Sequence, residues 1–299
     1  MLDSMLDSDK TSLRACKGFR RKYRDFSKTS RTGELAQAIS FVFAQENLSY
    51  PIVMDFHGFL ASQGAPAYPI DFVSPDFALL ANDGDFKPSL LESKGTCPSK
   101  ITNAVKGDLK EALNQCQSAN AFMQGCCSPK LGAKNTFGTL VKLAETQDLW
   151  ESHFSFCDPD EQGESISDLF AVARRYYSAY FLIAGDPEFS KQLFNQQNAS
   201  QTIALLETKN ISGSDYFTIR TDATRFNLFT PLLARQKNNK KQETPREWYI
   251  RKDLLFAIVN RDRESLISIF KDIDASTQGS GQQSIEFFRD GTACKIPDQ

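Results

Sequence analysis

Three side chains in the first third of the chain have types and spacing suited to hydrolysis: Asp76, and then Glu92 and Lys94 two positions apart. Splitting a phosphodiester near neutral pH needs a cation to neutralise the charge that develops on phosphate, and a water made nucleophilic beside it. Carboxylates meet the first need, because magnesium prefers hard oxygen ligands and keeps several of its waters, so a few converging oxygens suffice. A nearby lysine can hold that water or help to deprotonate it. Glu34 offers one more oxygen if the helix that carries it packs against the same sheet edge.

The surrounding pattern predicts elements that could bring these groups together. Leu35, Ile39, Val42 and Phe43 recur at helical spacing, with Thr29 or Ser30 as the cap and Asn47 as the stop. The apolar run at residues 51–59 reads as a strand. Residues 70–81 and 89–96 read as two strands joined by the turn residues Asn82, Asp83, Gly84 and Asp85, which makes a hairpin. Side chains alternate along a strand, so Glu92 and Lys94 emerge on one face, with Leu91 and Ser93 on the packed side. Ile101, Val105, Leu109, Ala112 and Leu113 form the apolar stripe of a second helix that halts at Gly125, and residues 136–145 read as a returning strand.

Pro75-Asp76 followed by Glu92-Ser93-Lys94 resembles the signature of the PD-(D/E)xK nuclease superfamily, and the order helix, strand, strand, strand, helix, strand is similar to its common core over roughly residues 29–145. The resemblance implies an α/β fold, a restriction-endonuclease-like core in which helices flank a mixed sheet. It implies that Asp76 and Glu92 hold Mg2+ or Mn2+, that the Ser93 carbonyl is a further ligand, and that Lys94 activates the water. Glu34 corresponds to a first-helix glutamate of many members, and Gln115 to a glutamine that some carry in the helix after the lysine. The implied function is metal-dependent phosphodiester hydrolysis, with DNA cut internally by an enzyme of the restriction or antiviral-defence effector type. An RNA substrate stays open, because the discriminating contacts lie away from the metal. The alternative is a catalytically inactive nuclease-fold subunit that binds partners in a larger complex, since fold alone does not establish activity.

Blander assignments exist for each residue. Asp76 fits a turn, Glu92 and Lys94 fit a solvated pair, and Glu34 fits the acidic start of a helix. Glu207-Thr208-Lys209 has a similar local look, yet the nearest upstream acid is Asp186, before Pro187, in a segment read as a helix connection. His57 and His153 are isolated. The chain has no GxSxG, Gly-rich phosphate loop or HExxH motif, so a separate motor subunit would have to supply any nucleotide-driven step.

With 299 residues the chain exceeds one modest domain, and the reading places the nuclease core at 1–150 and an appended, helix-rich α+β region for recognition, dimerisation or partner docking at 151–299. In the latter, 163–185 and 244–273 read as long helices, 202–210, 215–222 and 285–296 as strands with a turn at Asp290-Gly291, and 275–284 as a polar linker. Thirty-five basic residues against 37 acidic ones leave a formal charge of −2, so nucleic-acid binding must use local patches. One candidate patch is Arg14, Lys17, Arg20, Arg21, Lys22, Arg24, Lys28 and Arg31 with Phe19, Tyr23 and Phe26. The other is Lys237, Lys240, Lys241, Arg246, Arg251 and Lys252 beside Trp248 and Tyr249. The seven cysteines lack a CxxC pair and read as reduced thiols rather than a zinc site. No run approaches a membrane span and the start is acidic, so a cytoplasmic protein without membrane contact is expected.

Overall fold

The amphipathic helix and short apolar runs build an α/β unit comprising α1 (Phe19–Lys22), α2 (Phe26–Glu46), β1 (Ile52–Asp55), α3 (Phe56–Ser62), β2 (Phe77–Leu80), β3 (Pro88–Thr96), α4 (Val105–Cys126), β4 (Thr136–Lys142) and β5 (His153–Cys157). The structure, a computed structural model, describes residues 6–7, 12–22, 26–69, 73–81, 87–100, 105–127, 131–158, 168–183, 186–196, 199–204, 206–220, 247–276 and 285–295. The expected turn at residues 82–85 lies outside them, as does most of the linker.

Sheet order is β1-β2-β3-β4-β5. β3 and β4 pair in parallel and the other neighbours antiparallel, so the sheet is mixed. A parallel pair needs a long crossover, and α4 lies in that connection. Leu79, Leu91 and Phe137 pack with Ala44 of α2, and Val141 packs with Leu35 and Ala36 of the same helix. Gly138, which alternation puts on the opposite face from Val141, lies under Leu109, Ala112 and Leu113 of α4. The sheet is therefore sandwiched between α2 and α4.

Several boundaries differ from the sequence reading. The run at 51–59 stops being a strand at Asp55, because that carboxylate accepts the Gly58 N–H at 2.6 Å and caps α3. The expected division near residue 150 lies later, since the second compact unit begins at Asp168. The reason is β5, which pairs along β4 from Lys142–His153 to Gly138–Cys157.

The second unit contains α5 (Leu169–Ile183), α6 (Pro187–Asn195), α7 (Ala199–Ile203), β6 (Thr208–Ile211), β7 (Ser214–Arg220), β8 (Glu247–Arg251), α8 (Lys252–Asn260), α9 (Arg263–Ser276), β9 (Ile285–Phe287) and β10 (Thr292–Lys295). Its strands form an antiparallel sheet in the order β6-β7-β8-β10-β9. The single helix expected over 244–273 is instead a strand and two helices. Tyr249 and Ile250 are buried in β8, and Arg261 adopts a left-handed φ of 57° that ends α8 before Asp262 caps α9 through the Ser265 N–H. Residues 202–203 end α7 rather than begin a strand. Asp186-Pro187, read as a connection, starts α6 by accepting the Phe189 N–H at 3.0 Å.

Asp290, fully buried in the β9–β10 turn, ties that turn to α5. Its Oδ2 accepts the Tyr176 hydroxyl at 2.7 Å and the Tyr180 hydroxyl at 2.6 Å, and its Oδ1 accepts the Thr292 N–H and hydroxyl.

Two stability predictions follow from these contacts. A Cβ on Gly95 would lie 2.1 Å from the Thr32 carbonyl oxygen and 2.9 Å from the Ala36 Cβ, so Gly95→Ala must push α2 off β3. It should lower unfolding free energy by more than about 2 kcal/mol, read by denaturant titration. Asp290→Ala strands buried hydroxyls and should cost roughly 3 kcal/mol or more. A near-native midpoint for either variant would refute the packing assigned to it.

Candidate active site

The β2–β3 ladder reaches the Phe77–Leu91 pair, and Asp76 and Glu92 follow just past it. There the backbone turns to side chains. Glu92 Oε2 accepts the Asp76 N–H at 3.1 Å, and Asp76 Oδ2 accepts the Ser93 N–H at 2.9 Å together with the Ser93 hydroxyl. From α2, Gln37 Nε2 donates to Asp76 Oδ1 at 2.6 Å. Lys94 Nζ lies 3.0 Å from Glu92 Oε1 and 3.2 Å from Glu111 Oε1 on α4. Gln115, one turn further along α4, donates to Glu111 at 3.3 Å. Its own Oε1 is buried without a hydrogen-bond partner, in a residue only 8% exposed.

Glu92 is 5% exposed. Burial, reinforced by the neighbouring charge of Asp76, pushes its pKa from 4.5 to about 7 against the opposing pull of Lys94. For Lys94, burial works against the ammonium, but Glu92 and Glu111 outweigh it and hold the pKa above the ordinary lysine value. The site thus contains a carboxylate whose charge is costly and a lysine that keeps its proton.

Of the residues singled out by sequence, Asp76, Glu92, Ser93 and Lys94 come together, and Gln115 joins them through Glu111. Ser93 does more than pack, since its N–H and hydroxyl orient Asp76. Glu34 is not among the contacts of this network. Its carboxylate pairs with Arg31 at 2.5 Å and its side chain is 46% exposed. The reach of α2 into the site comes from Gln37, one turn on. Gln37 and Glu111 were missed, although each lies on the helix face of a residue already noted, at i+3 from Glu34 and i−4 from Gln115.

Glu207 and Lys209 belong to the second unit, where exposed Lys209 contacts the Tyr249 hydroxyl at 3.2 Å. His57 bonds Ser74 at 3.0 Å, and His153 stacks against Trp150.

The basic patches also need correction. Arg20 pairs with Asp148 and donates to the Cys97 carbonyl, while Arg14 donates to the carbonyls of Glu145 and Asp148. These cations pin the N-terminal segment to the end of β4, so Arg20 is not available as a phosphate contact. In the second patch Lys237, Lys240, Lys241 and Arg246 lie outside the described residues, Tyr249 is buried, and Arg251 pairs with Asp253.

Hard oxygens from Asp76 and Glu92 suit magnesium or manganese, and a cation would offset the burial and the Asp76 charge that together raise Glu92. Among the described residues, no group of three or more His, Cys, Asp or Glu side chains is placed to hold a metal. Carbonyl oxygens and waters would have to complete the shell, which is normal for magnesium. Also among the described residues, no helix is long and apolar enough to cross a membrane. No family model matches the chain, and neither do curated proteins or solved structures.

Proposed function

We propose that the first unit is a restriction-endonuclease-like, divalent-cation-dependent nuclease that hydrolyses phosphodiester bonds, with DNA as its substrate. The observation that carries this reading is the meeting of Asp76 and Glu92 past the end of one strand pair, with Lys94 in the same network. Asp76, Glu92 and the Ser93 carbonyl would hold magnesium or manganese. When bound, that ion supplies charge neutralisation at the phosphate and a more acidic water. Ser93 and Gln37 fix the direction of the Asp76 carboxylate, leaving little reorganisation at the moment of reaction. Lys94, held charged by two carboxylates, is suited to donate hydrogen bonds to a phosphate oxygen or to a water. Taking a proton from water would require it to be neutral, which Glu92 and Glu111 oppose.

One observation favours the alternative, an inactive nuclease-fold subunit. Asp76 and Lys94 are already satisfied within the chain, and such a network can be stable with no ligand. The same assay decides between the two. With supercoiled plasmid and magnesium, native protein should cut, while Asp76→Asn and Glu92→Gln should lose both cleavage and magnesium binding. Lys94→Ala should keep metal binding and lose cleavage by roughly 10²–10⁴-fold. Native-like cutting by Lys94→Ala would show that the site is wrongly assigned, and a native protein that never cuts would leave the scaffold reading.

The raised pKa of Glu92 fixes the sign of the pH dependence. In the cation-free protein, its contribution to stability is full below pH 4.5 and is lost as pH rises through about 7, because the folded state holds the proton more tightly than the unfolded chain. The total is about 3 kcal/mol. The stability of Glu92→Gln relative to native, measured by denaturant unfolding in chelator, should therefore grow across that window. Magnesium should stabilise native protein more at pH 8 than at pH 5.5. A difference that stays flat with pH would refute the electrostatic account.

A further inference from the structure

Among the described residues, the second unit contains a buried charged group with no hydrogen-bond partner. Arg174 on α5 is 8% exposed, and its Nε and Nη1 atoms are buried with no hydrogen-bond partner. A guanidinium carries five donors and stays charged at neutral pH, so burying it without an acceptor is among the costlier arrangements a protein can keep. Burial lowers its pKa, Asp168 opposes the shift and Arg261 adds to it.

The local charges do not balance. Asp168 is already engaged, since Oδ1 accepts the Ala171 N–H at 3.0 Å and the carboxylate receives Arg261 at 3.3 and 3.4 Å. Arg261 itself lies 5.4 Å over the ring of Phe170, one helical turn before Arg174. Among the described residues, two guanidiniums and one carboxylate therefore gather near the start of α5, with one positive charge in excess. What is missing is an anion.

We propose that Arg174 and Arg261 form a binding site for a phosphate group. A phosphate suits unpaired guanidinium donors because it brings both negative charge and several acceptor oxygens. Arg261, with its side chain 47% exposed, brings the second charge. The phosphate is either a free monoester-like dianion or the diester of a nucleic-acid backbone. The site stands on the second unit alone and does not depend on the nuclease reading.

The test uses the full chain in chelator, titrated calorimetrically with sodium phosphate against sodium chloride at matched ionic strength. Native protein should bind one phosphate. Arg174→Met should weaken binding roughly tenfold or more, the weight of one charge-assisted contact. Arg261→Met, changed at a half-exposed position and so safe for folding, should weaken it by a smaller factor. Loss of binding in Arg174→Met, which lies in the second unit, separates this site from the one in the first unit. Without phosphate, Arg174→Met should unfold no earlier than native, because an apolar side chain replaces an unpaired buried charge. A short single-stranded oligonucleotide lacking terminal phosphates distinguishes the sources: competition with phosphate assigns the site to diesters, and its failure assigns it to monoesters. Native protein that binds neither probe, or binding that survives Arg174→Met, overturns the proposal.

Discussion

The arrangement at the candidate site depends on where the β2–β3 ladder stops. β3 runs on to Thr96, but its partner begins only at Phe77, so at Asp76 and Ser93 backbone N–H groups look for acceptors other than the opposite strand. They find carboxylates. Asp76 takes the Ser93 N–H while Glu92 takes the Asp76 N–H, a reciprocal capping that draws two like charges together. The cost falls on Glu92, the more deeply buried of the two, whose pKa is raised first by burial and then by the neighbouring charge of Asp76. A single feature of strand length thus both satisfies the backbone and prepares a place where a cation would be welcome.

The helices then hold the ends of the network. Because Gly95 has no side chain, α2 can lie directly on β3 just after Lys94, and from that position Gln37 reaches Asp76. On the other face, α4 lies in the connection that a parallel β3–β4 pair requires, and it contributes Glu111 and Gln115. The same crossover that makes the sheet mixed therefore delivers the second counter-charge of Lys94.

Much of this was legible in the sequence because it is local and periodic. The alternation in residues 89–96 placed Glu92 with Lys94, and the apolar stripes of α2 and α4 placed both helices. Legibility failed where the deciding interaction links distant segments. Nothing near Glu34 says that it will pair with Arg31 while Gln37 turns inward. The basic look of residues 14–22 gave no hint that Asp148, more than a hundred residues away, would claim Arg20. Likewise residues 244–273 have helical composition throughout, and only pairing with β7 and β10 makes a strand of Glu247–Arg251. There tertiary context overrode propensity.

Three of the buried charges form a graded series. Asp290 receives hydroxyls from Tyr176 and Tyr180 and both donors of Thr292, so its carboxylate is fully engaged and acts as a tether. Glu92 is hydrogen-bonded yet faces a like charge, so it is satisfied in geometry and frustrated in electrostatics. Arg174 lacks even the geometry. Buried polar groups in folded proteins overwhelmingly find partners, so each step away from full satisfaction is harder to explain by folding alone. The fold gains from Asp290 and loses at Glu92 and Arg174. A loss that the chain tolerates is most economically explained when something outside the chain restores it: a cation in the first unit, an anion in the second.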